Sequence, residues 1–190
     1  MQASAITIKE VIGVLPKFNF AVNYPQLLRT CNKLFELNNN VVIRTWYSNT
    51  LEEVVEGEIN AIKAIFPSNE PPRIEVYGQT KTSTNLTRST NNRPLFNLTY
   101  GSTLFSFTST TSTKDQVHRA VAIGRKSAVK TQGRNSCFSG ECVGVPDLKI
   151  REIIALNGIG KKYDGCYYVE KVLHELKVTG YTRKFEARTL

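Results

Sequence analysis

The sequence predicts a mainly β protein, and three observations support this prediction. Residues with high strand propensity recur in short runs, such as VVIRTWY at 41–47 and RIEVY at 73–77. Turn-forming residues separate these runs, and Thr, Ser and Asn are abundant between them. Residues 181–188 alternate with a period of two, so that one strand face would carry Tyr181, Arg183, Phe185 and Ala187.

The composition is that of a globular protein. The chain has 190 residues, of which 41% are hydrophobic and 22% charged, enough for one medium domain or two small ones. The net charge of +9 is compatible with a negatively charged partner, either nucleic acid, a membrane or an acidic protein. Because the Lys and Arg residues do not cluster, a basic protein with scattered surface charges is the favoured interpretation. No signal peptide and no membrane-spanning run is visible, so we expect synthesis in a reducing cytoplasm.

The first half of the chain holds two ambiguous segments. Residues 4–22 predict one or two short strands. Apolar spacing between Pro25 and Phe35 predicts a helix, with a loop followed by a strand at 33–37 as the alternative. Residues 51–66 have apolar residues at helical spacing, but Gly57 interrupts this pattern and the later residues also alternate. The pattern alone favours a helix here.

A composition break divides the chain. Residues 79–94 are rich in Thr, Ser and Asn and predict a linker or exposed loop between two sub-domains. The β pattern restarts at 95–107 and continues in a strand at 117–123. Residues 126–147 are polar and predict a long loop.

The last forty residues predict a β-meander with two turn regions. The residues expected to form these turns are Gly158, Gly160, Asp164, Gly165 and Gly180. The GIGKK motif at 158–162 is superficially similar to a phosphate-binding loop, but the element after it has strand character and no Ser or Thr follows the lysines. We therefore interpret these glycines as turn residues.

Cys137 and Cys142 are the only close cysteine pair, and four residues separate them. Free thiols, a disulfide and a metal site are all open alternatives, of which free thiols are favoured. A metal is least favoured because zinc normally needs four ligands, and neither His118 nor His174 has paired metal spacing.

The sequence predicts no enzymatic activity, no cofactor and no metal. The acidic run Glu52, Glu53, Glu56 and Glu58 has no nucleophile or metal motif beside it and is interpreted as a solvated turn. His174 lies in a predicted strand, where a single histidine is usually a packed, hydrogen-bonded residue.

An ordered set of landmarks carries a family resemblance. They are Gly158-Ile-Gly160, Tyr163-Asp164-Gly165, Tyr167-Tyr168-Val169, Val172-x-His174 and Gly180-Tyr181-Thr182 with Phe185 and Arg188. This order resembles the C-terminal end of the phage late control protein D family. Those proteins are baseplate hubs of contractile tails, related to the N-terminal part of the type VI secretion spike protein VgrG. Residues 41–78 and 97–125 also resemble the family, which favours strands over a helix at 51–66.

The resemblance implies two small tail-tube-like β-barrels in tandem, with at most one or two short helices. The first barrel would span residues 1–80, the linker 81–94, and the second barrel 95–190 with the polar loop 126–147. Three subunits would form a ring of pseudo-six-fold symmetry that joins the tail tube to the central spike.

The resemblance also implies partners and a location. The partners would be two further copies of the chain, the central spike, tube or tube-initiator proteins, and baseplate wedge proteins. DNA or effectors would pass through the lumen without specific binding, and no membrane would be involved. The protein would reside in a virion tail baseplate or an injection particle, after synthesis and assembly in the host cytoplasm.

Two other functions remain open at this stage. A tail tube or tube-initiator protein would use the same barrels in a different stoichiometry. A small basic nucleic-acid-binding β-barrel would account for the net charge, but the basic residues lack the interleaved aromatics of a single-strand binder.

Overall fold

The structure, a computed structural model, describes residues 3–23, 35–47, 49–81, 94–111 and 136–190. Within these ranges the chain forms eleven strands and no helix. The strands are β1 (Ala3–Val11), β2 (Val14–Asn23), β3 (Asn40–Tyr47), β4 (Thr50–Ile65), β5 (Arg73–Gln79), β6 (Phe96–Thr99), β7 (Leu104–Thr111), β8 (Ser136–Val143), β9 (Ile153–Asn157), β10 (Gly165–Lys177) and β11 (Gly180–Thr189). No helix in the described ranges has the length and apolar character needed to cross a membrane.

The strands join into one sheet whose main path runs β3-β4-β5-β2-β1-β10-β11-β8-β7. Every neighbouring pair on this path is antiparallel. β9 pairs with the first residues of β10, and β6 pairs with β9 in parallel. Strands β1–β5 are called here the N-terminal half and β6–β11 the C-terminal half. The pairing of β1 with β10 connects the two halves.

The structure confirms the mainly β prediction and its most distinctive segments. The runs at 41–47 and 73–77 are β3 and β5, and the final meander is β9-β10-β11. The ambiguous segment 51–66 forms β4, a strand of 16 residues. The helical spacing at 51–66 is misleading because β4 is bulged between Ile59 and Ala61, which shifts the side-chain alternation along the strand.

The predicted loop at 126–147 is wrong for residues 136–143, which form β8. The side chains of Phe138 and Cys142 point into the core, with Gly140 between them. The alternation therefore exists, but a glycine and a cysteine supply two of its three inward positions and make it hard to recognise. The helix predicted between Pro25 and Phe35 and the strand at 117–123 fall on residues outside the described ranges, as does most of the predicted linker.

Both hydrophobic cores lie on the same face of the main sheet, called here the core face. Residues directly opposite each other in antiparallel strands project to the same side, and Ile8 is opposite His174 while Glu10 is opposite Val172. The N-terminal core contains Ile8, Phe18, Phe20, Val22, Ile43, Val55, Ile59, Ile74 and Val76. The C-terminal core contains Leu98, Leu104, Phe138, Cys142, Leu148, Ile150, Ile154, Leu156, Tyr167, Val169, Val172, Phe185 and Ala187. That each half is a closed barrel stays a prediction.

The two halves are equivalent in strand order and in register. From the central pair Lys9–Leu173, the order β1-β2-β5-β4 on one side corresponds to β10-β11-β8-β7 on the other. Directly paired residues give the row Ile8–Phe18–Gly78–Ile59 in the N-terminal half. The corresponding row in the C-terminal half is Val172–Phe185–Gly140–Phe107. Both halves thus place a phenylalanine opposite a glycine at the same position.

The phenylalanine ring in each row occupies the space that the glycine leaves open. A Cβ atom at Gly78 would lie 2.2 Å from Cζ of Phe18. A Cβ atom at Gly140 would lie 2.8 Å from Cζ of Phe185. Since real Cβ contacts are not this short, both glycines are required by the packing of the aromatic ring against the backbone.

We expect Gly78→Ala to destabilise the protein by about 1–3 kcal/mol, because the new methyl group overlaps the Phe18 ring. Combining it with Phe18→Leu removes part of the overlap, so the double variant should be more stable than the sum of the single effects by roughly 0.5–3 kcal/mol. Urea unfolding measures both quantities. The matched control pairs Gly78→Ala with Phe185→Leu, which lies in the other core and should be additive. An equal deviation from additivity in the two double variants would contradict a direct contact between position 78 and the Phe18 ring.

Candidate functional site

The glycines named as turn residues of the meander share one backbone property. Gly158, Gly160, Gly165 and Gly180 all have positive φ angles, between 79° and 154°. The Asp164 carboxylate organises the longer turn, because its Oδ1 accepts hydrogen bonds from the backbone N–H groups of Ile159 (2.9 Å) and Gly160 (3.1 Å). These two donors are therefore bound within the turn, in agreement with a structural role for the glycines.

The two neighbouring cysteines are free thiols at opposite sides of β8. Cys142 is buried in the C-terminal core, whereas Cys137 is exposed. Five residue steps of an extended strand separate their Cα atoms by roughly 16 Å, and a disulfide requires less than about 7 Å. Burial raises the pKa of Cys142 to about 12, so this thiol stays protonated at neutral pH. In the part of the chain that the structure describes, no three His, Cys, Asp or Glu residues lie together as metal ligands.

A buried polar cluster occupies the junction of the two halves. Glu10 from β1, His174 from β10 and Arg183 from β11 are all buried on the core face, with Tyr181 beside them. His174 Nδ1 lies 2.9 Å from the Tyr181 hydroxyl and 3.0 Å from Arg183 Nη2. A guanidinium only donates hydrogen bonds, so Nδ1 is an acceptor and the proton of the neutral imidazole is on Nε2. That Nε2 lies 3.6 Å from Oε1 of Glu10, too far for a hydrogen bond, and it has no other partner among the described residues.

Arg183 is the centre of this cluster. Its side chain is 0% exposed, and its Nε donates to the Tyr181 hydroxyl at 2.8 Å. Its two terminal nitrogens donate to the backbone carbonyls of Leu148 and, at 2.8 Å, Pro146. The guanidinium therefore attaches the segment that precedes β9 to the sheet, while the Glu10 carboxylate supplies the opposite charge across the junction.

The environment of His174 favours the neutral imidazole. Burial lowers the pKa of His174 below its ordinary value, the Glu10 carboxylate opposes this shift, and the positive charge of Arg183 adds to it. The sequence predicted a packed histidine at this position. It did not predict that a buried arginine would lie beside it, because the alternation of 181–188 indicates only that Arg183 shares a face with Phe185.

The acidic run of β4 forms surface ion pairs. Glu53 pairs with Arg44 at 3.7 Å, and Glu58 pairs with Lys81 at 2.5 Å. Both pairs have half-exposed side chains, so they contribute little to stability. These glutamates lie on a strand, and the predicted solvated turn is wrong in its secondary structure.

Two strands end the main sheet and are candidates for contacts with other chains. Among the described residues, β3 pairs with β4 alone and β7 pairs along its length with β8. The outer part of the β3–β4 hairpin, called here the hairpin arm, extends beyond β5, which contacts only residues 58–65 of β4. Trp46 and Leu51 are paired directly on this arm and are 73% and 49% exposed. An exposed aromatic side chain beside an open strand edge is typical of a protein–protein contact.

The fold is that of phage tail proteins. No protein-family model matches the sequence, and no curated protein matches it. A 43 kDa tail protein of prophage MuSo2 from Shewanella oneidensis is similar in structure, with a TM-score of 0.66, 10% identity, and coverage of 98% of this chain and 92% of its own. A tail protein from Neisseria meningitidis MC58 also has a TM-score of 0.66, with 7% identity and coverage of 99% and 92%.

A third similar structure comes from a secretion system. It is an E. coli protein described as a component of the type VI secretion system with structural similarity to the T4 bacteriophage tail proteins gp27 and gp5. Its TM-score is 0.53 at 9% identity, and the match covers 100% of this chain and 74% of its own. At these identities the similarity establishes the fold, and membership of the late control protein D family stays a prediction.

We expect Arg183→Met to lower the free energy of unfolding by about 2–5 kcal/mol, because two backbone carbonyls and the Tyr181 hydroxyl lose their buried donor. Urea denaturation followed by far-UV circular dichroism provides the measurement. The control is Arg188→Met on the same strand, where the exposed ion pair with Glu170 contributes less than about 1 kcal/mol. Similar losses in both variants would contradict the central role of Arg183.

The protein should lose stability as the pH falls from about 7.5 to about 5.5. The folded-state pKa of His174 is lowered, so the unfolded chain, with an ordinary value of about 6.5, takes up the proton more readily. The stability that neutral His174 contributes is fully present above its unfolded-state pKa and decreases as the pH falls below that value. Denaturation midpoints of wild type and His174→Gln across this range measure the effect. Full pH dependence in His174→Gln would exclude His174 as its source.

Proposed function

We propose that this protein is a structural component of a phage tail or related contractile injection particle, and within that class a baseplate hub. Three copies form a ring of pseudo-six-fold symmetry that joins the tail tube to the central spike. Its partners are the spike, tube or tube-initiator proteins and baseplate wedge proteins, and it resides in the assembled particle. The role is structural, not enzymatic.

The equivalence of the two halves about the Lys9–Leu173 pair is the observation that carries this proposal. A trimeric ring with pseudo-six-fold symmetry needs two similar units in each subunit. The strand order and register of β1-β2-β5-β4 correspond to those of β10-β11-β8-β7, and each half has its own core and its own Phe–Gly pair. Three copies would therefore present six similar units to a six-fold tube and remain three-fold towards a spike.

The open edges of β3 and β7 support ring closure. They lie at opposite ends of the main sheet path, so β3 of one copy can meet β7 of the next in a head-to-tail contact. Such a heterologous contact closes into a ring when its rotation divides a full turn. Strand pairing across the contact would also satisfy the backbone groups of both edges that have no partner among the described residues.

The similarity to tail proteins across the chain agrees with this role. It covers 98% of this chain for the MuSo2 tail protein and 99% for the Neisseria tail protein, so both halves take part in the match. A tail tube or tube-initiator protein would have the same fold. The stoichiometry of the assembly discriminates between that function and a hub.

We expect native mass spectrometry to detect a trimer, alone or with spike or tube partners. A hexamer would favour the tube protein, and a strict monomer that joins neither partner would contradict the hub. Trp46→Ser combined with Leu51→Ser should weaken assembly about tenfold or more, since a buried aromatic anchor contributes at least 1–2 kcal/mol to an interface. Val178→Ser, at a position 78% exposed in the β10–β11 turn, is the matched control and should assemble normally.

A further inference from the structure

The face of the sheet opposite the two cores, called here the open face, carries two cavities at equivalent positions. The N-terminal cavity, of about 510 Å³, is lined by residues of β1, β2, β4 and β5. The C-terminal cavity, of about 330 Å³, is lined by residues of β10, β11, β7 and β8. Leu173 at the central pair borders both. The register makes the two linings comparable residue by residue.

The C-terminal cavity is neutral because its lysines are paired with carboxylates. Lys171 forms an ion pair with Glu186. Lys184 is directly opposite Glu141 across β11 and β8, and its ammonium lies 2.9 Å from Glu175 at the rim. Hydrogen bonding to Glu175 raises the pKa of Lys184, which agrees with a stabilised positive charge.

The N-terminal cavity also has two lysines, but its lining contains no carboxylate. Lys17 corresponds in register to Lys184, and its opposite residue is Gln79 where the C-terminal cavity has Glu141. Asn19 takes the place of Glu186, since it is opposite Thr7 as Glu186 is opposite Lys171. An amide thus stands at each of the two positions where a glutamate lines the other cavity.

The second lysine of the N-terminal cavity, Lys9, adds to its uncompensated positive charge. Lys9 is directly opposite Lys17, and both side chains are exposed. Neither forms an ion pair with any residue that the structure describes. Like charges at directly opposite positions of a β-ladder are destabilising. No carboxylate lines this cavity, whose other polar side chains are Thr7, Asn19, Asn60, Tyr77 and Gln79.

We propose that the N-terminal cavity binds a phosphate group of a nucleic-acid backbone. Two ammonium groups on facing strands, with the Thr7 hydroxyl and the amides of Asn19 and Gln79 around them, match a phosphodiester and provide no reading of the bases. The Tyr77 hydroxyl and the Asn60 amide are not counted, because they donate to Glu75 and to backbone carbonyls. The cavity lies on an accessible sheet face, where a continuous strand of nucleic acid can reach it. The net charge of +9 would attract such a polyanion from a distance. The cavity is lined by neither β3 nor β7, the strands proposed to close the ring, so a negative binding result would leave the proposed hub function untouched.

The test compares two matched double variants, Lys9→Gln/Lys17→Gln and Lys171→Gln/Lys184→Gln. The affinity for a fluorescent DNA duplex of about two helical turns is measured by anisotropy at several salt concentrations. The first variant should bind on the order of tenfold more weakly at low salt. Its log–log salt slope should fall by about 0.9, the value expected when one phosphate is no longer neutralised. The second variant should keep the wild-type slope because its lysines are already paired.

Stability measurements separate binding from structural effects. Lys9→Gln/Lys17→Gln should retain or raise the urea midpoint, because it removes a repulsion, whereas Lys171→Gln/Lys184→Gln should lower it. Equal loss of DNA affinity in both variants, or no loss in the first, would overturn the proposal. Titration with inorganic phosphate alone is the second probe. If free phosphate binds at Lys9 and Lys17 while the duplex does not, the nucleic-acid assignment is wrong.

Discussion

The pairing of β1 with β10 is the interaction on which the rest of the structure depends. Seven residue pairs, from Ala5–Lys177 to Val11–Lys171, join the two halves into one sheet. Because directly opposite residues project to the same side, this register places both cores on one face and leaves the other face open. A slip by one residue would reverse the sides of every side chain in one half and separate the cores. The strand ladder thus fixes the equivalence of the halves, the positions of the two open edges and the pairing of the two cavities.

The buried polar cluster at the junction of the two halves is better suited to specifying one strand register than to stabilising the fold. Burying Arg183 and Glu10 has a desolvation cost that a pair of apolar side chains would avoid. The arginine nevertheless engages groups that no apolar residue can, the Tyr181 hydroxyl and two backbone carbonyls of the segment before β9. We interpret the cluster as a device that defines one register and one position of that segment. If the proposed assembly role is correct, each subunit must present the same edges, and such uniqueness has a direct use.

Sequence reasoning recovered the β class and the closing meander, because local chemistry determines those features. Positive φ at Gly158 and Gly180 follows from turn geometry, and the alternation in 181–188 follows from one buried face. It missed β8, since Gly140 is required by the Phe185 ring, a neighbour distant in sequence. It also missed the Arg183 cluster and the equivalence of the two cavities. Both depend on which strands become neighbours, and a single sequence contains no local signal for the pairing of β1 with β10.

The central claim is that one chain supplies two equivalent units to a ring, and the shape of the assembled ring tests it most directly. Electron microscopy of the assembled protein should resolve three copies whose two halves alternate as six similar lobes around a central opening. The open edge of β3 in one copy should face β7 of the next. A ring of six copies, or a trimer in which only one half of each chain surrounds the opening, would contradict the account.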